Sequence, residues 1–310
     1  LHADGKKVIV FARNLEKANG MFRDLGERVE YREGSLSDID SIEQALVGVD
    51  AVVHSAGFVS EWDNYEAFHR VNVQGTKHLL VIAHEQGIKQ FVQISSLGVF
   101  GDTDQENISE NAMYQLSSDH YSNTKILSEI FVKRYCRSND LPYTVIRPGF
   151  IYGEGDNNFF PNLIANLKAK KAKYIGSTEN HLNTVYVGNV AALVCKVMGN
   201  KECFGECYNI ADPQKTKIGE FFDTVCSALD LPRPTKVLPR SVVLPLAGLV
   251  EFVYRTLRLK GVPPITRKKV TFVARSRSVN ASKAYRLLGQ EPYSAKEGID
   301  RTLENLKNAR

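Results

Sequence analysis

Short apolar runs alternate along this chain with stretches in which apolar residues recur every three or four positions. Val8–Phe11, Val29–Tyr31, Ala51–His54, Phe91–Ile94 and Tyr143–Arg147 are short, rich in Val, Ile and Phe, and bounded by Gly, Pro, Asp or Ser. They read as strands buried on both faces. Between them, Ser41–Val47 (with Asp40 or Ser41 as cap), Gly75–Gln86 (ending at Gly87) and Tyr121–Cys136 read as helices. In the last of these, Leu127, Ile130, Phe131 and Tyr135 stand at helical spacing. Strand–helix alternation with short connections predicts an α/β fold, a doubly wound parallel sheet with helices on both faces.

The pattern changes after Pro148. A Gly/Asn/Asp loop covers Gly153–Asn158, and helices are expected near Pro161–Lys170 and Asn189–Met198, with a strand at Cys207–Ile210. From Pro232 the segments are spaced by prolines. Ser241–Val250 is nearly uncharged and is followed by Arg255, Arg258 and Lys260; the last helices are expected near Ala281–Leu288 and Ala295–Lys307. This part reads as a second, smaller lobe, and no internal repeat is visible.

The 310 residues give material for one large domain or two ordinary ones. With 43% hydrophobic and 24% charged residues, the composition excludes disorder, collagen and coiled coil as the dominant state. A net charge of +5 is weak ground for a nucleic-acid partner, and the densest basic run, Arg267-Lys268-Lys269, is no polyanion footprint. Five cysteines, with Cys203 and Cys207 the closest pair, read as reduced structural thiols, so neither a disulfide framework nor a metal site is expected.

The chemistry concentrates in Tyr121-Ser122-Asn123-Thr124-Lys125, a Y-x-x-x-K whose spacing puts both side chains on one helical face. A free tyrosine, with a pKa of ~10, is a poor acid/base near neutrality. An ammonium group one turn away favours the phenolate and is expected to lower that value. Alone, the pattern equally describes a surface Tyr beside a surface Lys. Context comes from the buried strand before it, which ends in Ser95-Ser96, with Ser96 standing 25 residues ahead of Tyr121. A hydroxyl at the carboxyl end of such a strand faces the crevice where doubly wound sheets bind ligands. From there Ser96 can donate to a substrate oxygen while Tyr121 exchanges its proton.

Further segments follow in order: Val52–Gly57, Asn72-Val73-Gln74-Gly75-Thr76, Arg147-Pro148-Gly149 with Tyr152-Gly153, Val185–Ala191 and Tyr208-Asn209-Ile210. With them the chain resembles, over nearly its whole length, the extended short-chain dehydrogenase/reductases of the NAD-dependent epimerase/dehydratase superfamily. Within that group it is most similar to the 3β-hydroxysteroid dehydrogenase-like branch. The resemblance implies a Rossmann-type sheet with a smaller C-terminal α/β substrate lobe. The dinucleotide-binding domain would comprise residues 1–150 plus about 183–212, and the substrate lobe about 151–182 plus 213–310. It implies Tyr121 as acid/base, Lys125 as modulator of its pKa and ribose ligand, and Ser96 as the group that polarises the carbonyl. Asn72 would hold active-site backbone or water, alongside a plainer part as a helix cap. His54, Ser55, Ala56, Gly57, Pro148 and Gly149 would run along the cofactor, and Phe150 and Tyr186 would face the substrate. A homodimer through the helices Gly75–Gln86 and Tyr121–Cys136 is expected on the same ground.

Several positions depart from the family pattern. Its glycine-rich phosphate loop, between first strand and first helix, does not occur here. Leu1–Val8 matches the end of that helix, a glycine cap and the start of the second strand, so roughly 20 further residues are expected ahead of Leu1. The alternative is a member without the loop. Where an NAD enzyme places Asp, Ala12 is followed by Arg13; a cation there suits a 2′-phosphate and favours NADP(H) over NAD(H), unless Arg13 is simply solvated. The adenine-side Asp-Leu of the family is Ser35-Leu36.

Nucleotide-sugar epimerases share the Ser/Tyr/Lys set but carry Asn three residues after the Arg147 position and Arg just before the Val185 segment. Here Phe150 and Leu182-Asn183-Thr184 stand in those places. The expected activity is therefore interconversion of a secondary alcohol and a ketone on a hydrophobic substrate, steroid-like or a 3-hydroxy/3-keto acyl compound. A nucleotide-sugar epimerase or dehydratase is the first rival and a non-catalytic dinucleotide-binding protein the second. Residues 242–260, interrupted by Pro245, are either a peripheral membrane contact or an ordinary core helix; they are too short and interrupted to span a bilayer. A cytoplasmic protein is expected, with membrane association left as the alternative that the first reading of this segment carries.

Overall fold

In the computed structural model, the parallel strands Cys207–Ile210, Tyr143–Pro148, Gln90–Ile94 and Ala51–His54 lie side by side in that order. The structure describes residues 1, 5–21, 29–156, 159–212, 216–290 and 292–308. A second parallel pair, Val8–Ala12 with Val29–Glu33, forms its own sheet. Among the described residues, Val8–Ala12 and Ala51–His54 each pair on one edge only. Gly5 turns with φ +75° ahead of the first strand, as a glycine cap requires. The neighbouring His2–Asp4, and Asn157 and Asn158 of the expected loop, lie outside the described residues.

Alternation along the central strands sends Phe91, Tyr143 and Val145 to one face and Val92, Ile94 and Ile146 to the other. The first face is covered by Leu79, Leu80 and Ala83 of the helix Thr76–Glu85 and by Val132 and Cys136 of the helix His120–Ser138. The second is covered by Leu193 and Val197 of Val187–Val197 and by Ala284 and Leu288 of Ser282–Leu288. Cover on both faces is why these strands read as unbroken apolar runs.

Four local expectations are corrected. Helical backbone starts at Tyr65, ten residues before Gly75, and passes through π-helical turns at His69–Gly75 before continuing to Glu85. Asn72 lies inside that run and caps nothing; the cap is Asn64, which accepts from the Ala67 amide at 2.9 Å. The helix Ile39–Leu46 is capped by Asp38 rather than by Asp40 or Ser41. Pro245 does not interrupt the apolar segment, because Arg240–Thr256 is one helix through it.

Tyr152, Phe160, Phe221, Ile299 and Leu303 build a separate core in the C-terminal part. There the helix Arg240–Thr256 packs on the helix Arg267–Ala274 through Val243, Ala247, Val270 and Ala274. Among the described residues, no helix is long and apolar enough to cross a membrane.

Candidate active site

The helix carrying Tyr121 begins where Asp119 accepts hydrogen bonds from the Tyr121 and Ser122 amides, at 3.3 and 3.1 Å. Ser122 Oγ donates to the same carboxylate at 2.8 Å. One turn on, Lys125 is buried, and its Nζ donates to the Ile94 carbonyl at 2.8 Å. That bond ties the tyrosine helix to the end of the strand that delivers Ser96. Lys125 Nζ stands 5.8 Å from the centre of the Tyr121 ring.

Ser96 comes off the strand in extended backbone, accepts from the Gly98 amide at 3.0 Å, and lies near enough to the Tyr121 hydroxyl to favour its ionised form. Gly98 is required by close approach: a Cβ there would lie 2.5 Å from Ser122 Oγ and 3.3 Å from Ser96 Oγ. Asn72 completes the group. Its Oδ1 accepts from the Phe58 amide at 2.6 Å, and its Nδ2 donates to the Phe58 carbonyl and to Thr124 Oγ1, both at 3.1 Å. It thereby pins the loop after Ala51–His54 against the tyrosine helix. Gly57 of that loop faces both: a Cβ on it would be 3.4 Å from Asn72 Oδ1 and 3.6 Å from Lys125 Nζ.

The electrostatics differ from the simple Tyr–Lys expectation. Burial, and then the Asp119 carboxylate, push the Tyr121 phenol up to about 12, while the Ser96 hydroxyl acts the other way. Burial also pushes Lys125 down to about 8, against the pull of Glu129. The desolvation of both groups outweighs the ammonium's effect on the phenol. Tyr121 is therefore a protonated donor at neutral pH.

Beneath the pair lies Glu129, which receives Ser95 Oγ at 2.7 Å, Tyr114 Oη at 2.8 Å and the Arg147 guanidinium at 2.5 Å. Burial alone would raise this carboxyl; Arg147, helped by Lys133 and Ser95, holds it down at about 2.

An aromatic wall flanks the strand ends. Phe150 meets Phe159 at 4.5 Å and the half-exposed Phe272 at 5.2 Å between ring centres. Phe272 stands one turn from Lys268 on the helix Arg267–Ala274, and Lys268 Nζ lies 5.6 Å from the centre of the Tyr121 ring.

A family model described as the NAD dependent epimerase/dehydratase family matches residues 1–211. The chain belongs to this family. It is 31% identical over 296 residues to 3beta-hydroxysteroid-dehydrogenase/decarboxylase isoform 2 of Arabidopsis thaliana, covering 91% of this chain but 52% of the relative. The chain thus spans about half the length of that protein. It is also 31% identical over 303 residues to a decarboxylating sterol-4-alpha-carboxylate 3-dehydrogenase of Candida albicans, covering 93% of this chain and 86% of the relative. The crystal structure of a UDP-glucuronic acid 4-epimerase from Bacillus cereus in complex with NAD superposes with a TM-score of 0.76 at 16% identity, over 97% of this chain and 90% of the other, and shows the shared fold.

On this epimerase/dehydratase frame, Asn72, Ser96, Tyr121, Lys125 and Gly57 come together, and the exposed Ser55 and Ala56 lead into Gly57. Arg13 is exposed at the end of its strand, and Ser35 lies in the turn after the neighbouring strand, its Oγ accepting from the Ser37 amide. Pro148 and Gly149 close another strand end, with the Gly149 amide on the Ile210 carbonyl at 2.8 Å.

Three expected site residues turn their side chains to protein partners. The His54 ring is buried, against Thr76 Oγ1 at 2.8 Å; because that hydroxyl gives its proton to the Asn72 carbonyl, His54 Nε2 is the donor. Leu36 is a core residue pressed on Gly75. Tyr186 is packed against Tyr152 and Tyr293, with its hydroxyl donating to Glu154.

Asp119 and Lys268 are the neighbours of Tyr121 that sequence reasoning missed. Asp119 had a readable signal, an Asp directly before a helix. Lys268 had none beyond its basic run.

Proposed function

We propose that this protein is an NADP(H)-preferring oxidoreductase that interconverts a secondary alcohol and a ketone on a hydrophobic, steroid-like or 3-hydroxy/3-keto acyl substrate. The observation that carries the reading is the convergence of Ser96, Tyr121 and Lys125 at a strand end beside the Phe150–Phe159–Phe272 wall. The names of the Arabidopsis and Candida relatives support the same substrate class.

The residues at the strand ends fit the nicotinamide and ribose half of a dinucleotide. Lys125 would hold ribose hydroxyls, the Ser55–Gly57 backbone would line the cofactor, and the exposed Arg13 would meet a 2′-phosphate. A bound nicotinamide supplies or accepts the hydride. Protonated Tyr121 gives its proton to the ketone oxygen as the alcohol forms, and takes it back in the reverse direction. Ser96 Oγ, held by the Gly98 amide, donates to the same oxygen and stabilises its developing charge. In the oxidative direction, a substrate with a carboxylate β to the new ketone becomes a β-keto acid, which loses CO2 without another residue.

A nucleotide-sugar substrate is disfavoured by the positions that would meet its diphosphate. Phe150 is turned to aromatic partners, and the Asn183 amide is committed to the Arg277 carbonyl at 2.7 Å. The exposed stripe Val242, Leu246, Leu249, Val253 and Leu257, followed by exposed Arg258 and Lys260, supports peripheral contact with an anionic membrane. Exposed Leu127 and Ile130 on the tyrosine helix support a homodimer.

The decisive experiment follows NADPH and NADH oxidation by the full-length gene product against ketosteroids, 3-ketoacyl compounds and UDP-sugars. Turnover of the apolar ketones, lost in Tyr121→Phe by about 10²–10⁴-fold, is expected. A preference for NADPH that falls in Arg13→Gln supports the 2′-phosphate assignment. Turnover confined to UDP-sugars would overturn the substrate class.

A further inference from the structure

The tyrosine helix carries an internal conflict. Asp119 caps it by accepting from two of its first amides, which favours the helix. The same carboxylate sits beside Tyr121 and opposes loss of the phenol's proton. The residue that caps the helix therefore works against the group expected to do the chemistry.

Lys268 lies where it offsets this. Its Nζ is 3.0 Å from Asp119 Oδ1 and donates to the Ser60 carbonyl at 3.0 Å. It also stands over the Tyr121 ring at 5.6 Å from the centre, as near as Lys125 at 5.8 Å. We propose that Lys268 is a positioning residue for Tyr121: its ammonium group compensates the Asp119 carboxylate, so that seating of the helix Arg267–Ala274 completes the electrostatic setting of the acid/base.

That helix is held by independent contacts. Arg267 binds Glu251 through both its amide and its guanidinium, each at 2.7 Å. Lys269 pairs with Glu61 at 2.7 Å and Phe272 packs on Phe150, while Arg255 of the neighbouring helix Arg240–Thr256 stacks on Trp62 at 4.9 Å. The loop after Ala51–His54, the tyrosine helix and the C-terminal part are thus clasped together around Tyr121. The groups facing Tyr121 are Ser96 from the strand end, Asp119 and Lys125 from its own helix, and Lys268. His120, next along the helix, is turned to Tyr65 and Phe68. The outer pairs Glu61–Lys269 and Glu251–Arg267 are each balanced. Loss of Lys268 therefore leaves the Asp119 carboxylate beside the phenol without its cationic partner.

The inference rests on the reading of Tyr121 as acid/base, but its test does not need turnover. Protein carrying 3,5-difluorotyrosine at position 121, whose fluorines bring the phenol into an accessible pH range, is titrated by 19F NMR. Lys268→Met should raise the midpoint by about one pH unit. Lys268→Arg should retain the unsubstituted midpoint. In an Asp119→Asn background, which keeps a capping oxygen, Lys268→Met should have little effect. An unchanged midpoint in Lys268→Met overturns the proposal, and so does a shift of full size without the Asp119 charge. Failure of the parent reading looks different: a midpoint that responds to Lys268 in a protein that reduces no ketone leaves the coupling intact and removes the catalytic assignment.

Discussion

Glu129 and Arg147 meet at 2.5 Å with the carboxylate fully buried and the guanidinium 1% exposed. Glu129 sits one turn beyond Lys125 and also receives Ser95, the residue before Ser96. The pair therefore locks the tyrosine helix to the two strands whose ends form the site. Removing Glu129 strands the buried guanidinium at about 3–5 kcal/mol, and removing Arg147 leaves the carboxylate only its weaker partner Lys133 at 3.0 Å. Glu129→Gln should lower the unfolding free energy, measured by urea titration, by that order, and Arg147→Met by less. Replacing both with apolar residues should cost less than either alone. Because the Glu129 carboxyl is held at about 2 rather than 4.5, its stabilisation is complete above pH 4.5 and is lost as pH falls from there toward 2. Urea midpoints across that range should be flatter in Glu129→Gln.

Gly98 separates the two serines at the site. Gly98→Ala would put a methyl on Ser122 Oγ and crowd Ser96. The fold should survive at about 1–3 kcal/mol of cost, while turnover falls more steeply than stability because Ser96 is displaced. Adding Ser122→Ala removes the atom that is struck and should recover much of the activity. Equal loss of rate and stability in both variants would show that Gly98 matters only for packing.

His54 gives a second pH effect. Burial, with Lys125 nearby, pushes its pKa down to about 3, so it stays neutral in the folded protein. The unfolded chain takes up a proton near 6.5, the ordinary value. The penalty is absent above that pH and grows as pH falls from 6.5 toward 3. His54→Leu should flatten the stability curve across that window, and should cost about 1 kcal/mol at neutral pH through the lost Thr76 hydrogen bond. A slope unchanged by the substitution would mean that the ring titrates in the native state.

The strands were legible because burial on both faces leaves a simple signature; Ala51–His54 and Cys207–Ile210 have the expected bounds. Tyr121, Lys125 and Ser96 were legible because their spacing is local or tied to a strand end. The direction of the Tyr121 shift was not, since it depends on desolvation by elements distant in sequence. The packing partners of His54, Leu36 and Tyr186 were not legible, because a motif fixes where the backbone goes, whereas packing decides which way a side chain turns. The helix before Gly75 was hidden by π-helical turns, which break the 3.6-residue period. Arg267–Ala274 was hidden because its basic start and the β-branched Val270, Thr271 and Val273 mask its apolar face.

The helix Arg240–Thr256 gives the prediction that reaches furthest from the site. Val243 and Ala247 face the core, whereas Val242, Leu246, Leu249, Val253 and Leu257 recur at three- or four-residue spacing on the outer side. Exposures of 50% for Leu246, 59% for Leu249 and 65% for Leu257 are large for a contiguous apolar face. A core helix would not leave this face in water, and Arg258 and Lys260 place cations where lipid phosphates would lie. Leu246→Asp with Leu249→Asp should leave the fold intact, because neither side chain is buried. It should weaken sedimentation with vesicles containing anionic lipid by at least about tenfold, since each leucine withdrawn from water contributes about 1.5–3 kcal/mol. Arg258→Glu with Lys260→Glu should weaken the same binding at low salt and matter less as salt rises. Binding that ignores both pairs of substitutions would assign this face to a protein partner or to none. A fall in binding with turnover of a soluble ketone unchanged would show that the stripe serves delivery of a lipid-borne substrate and not the chemistry at Tyr121.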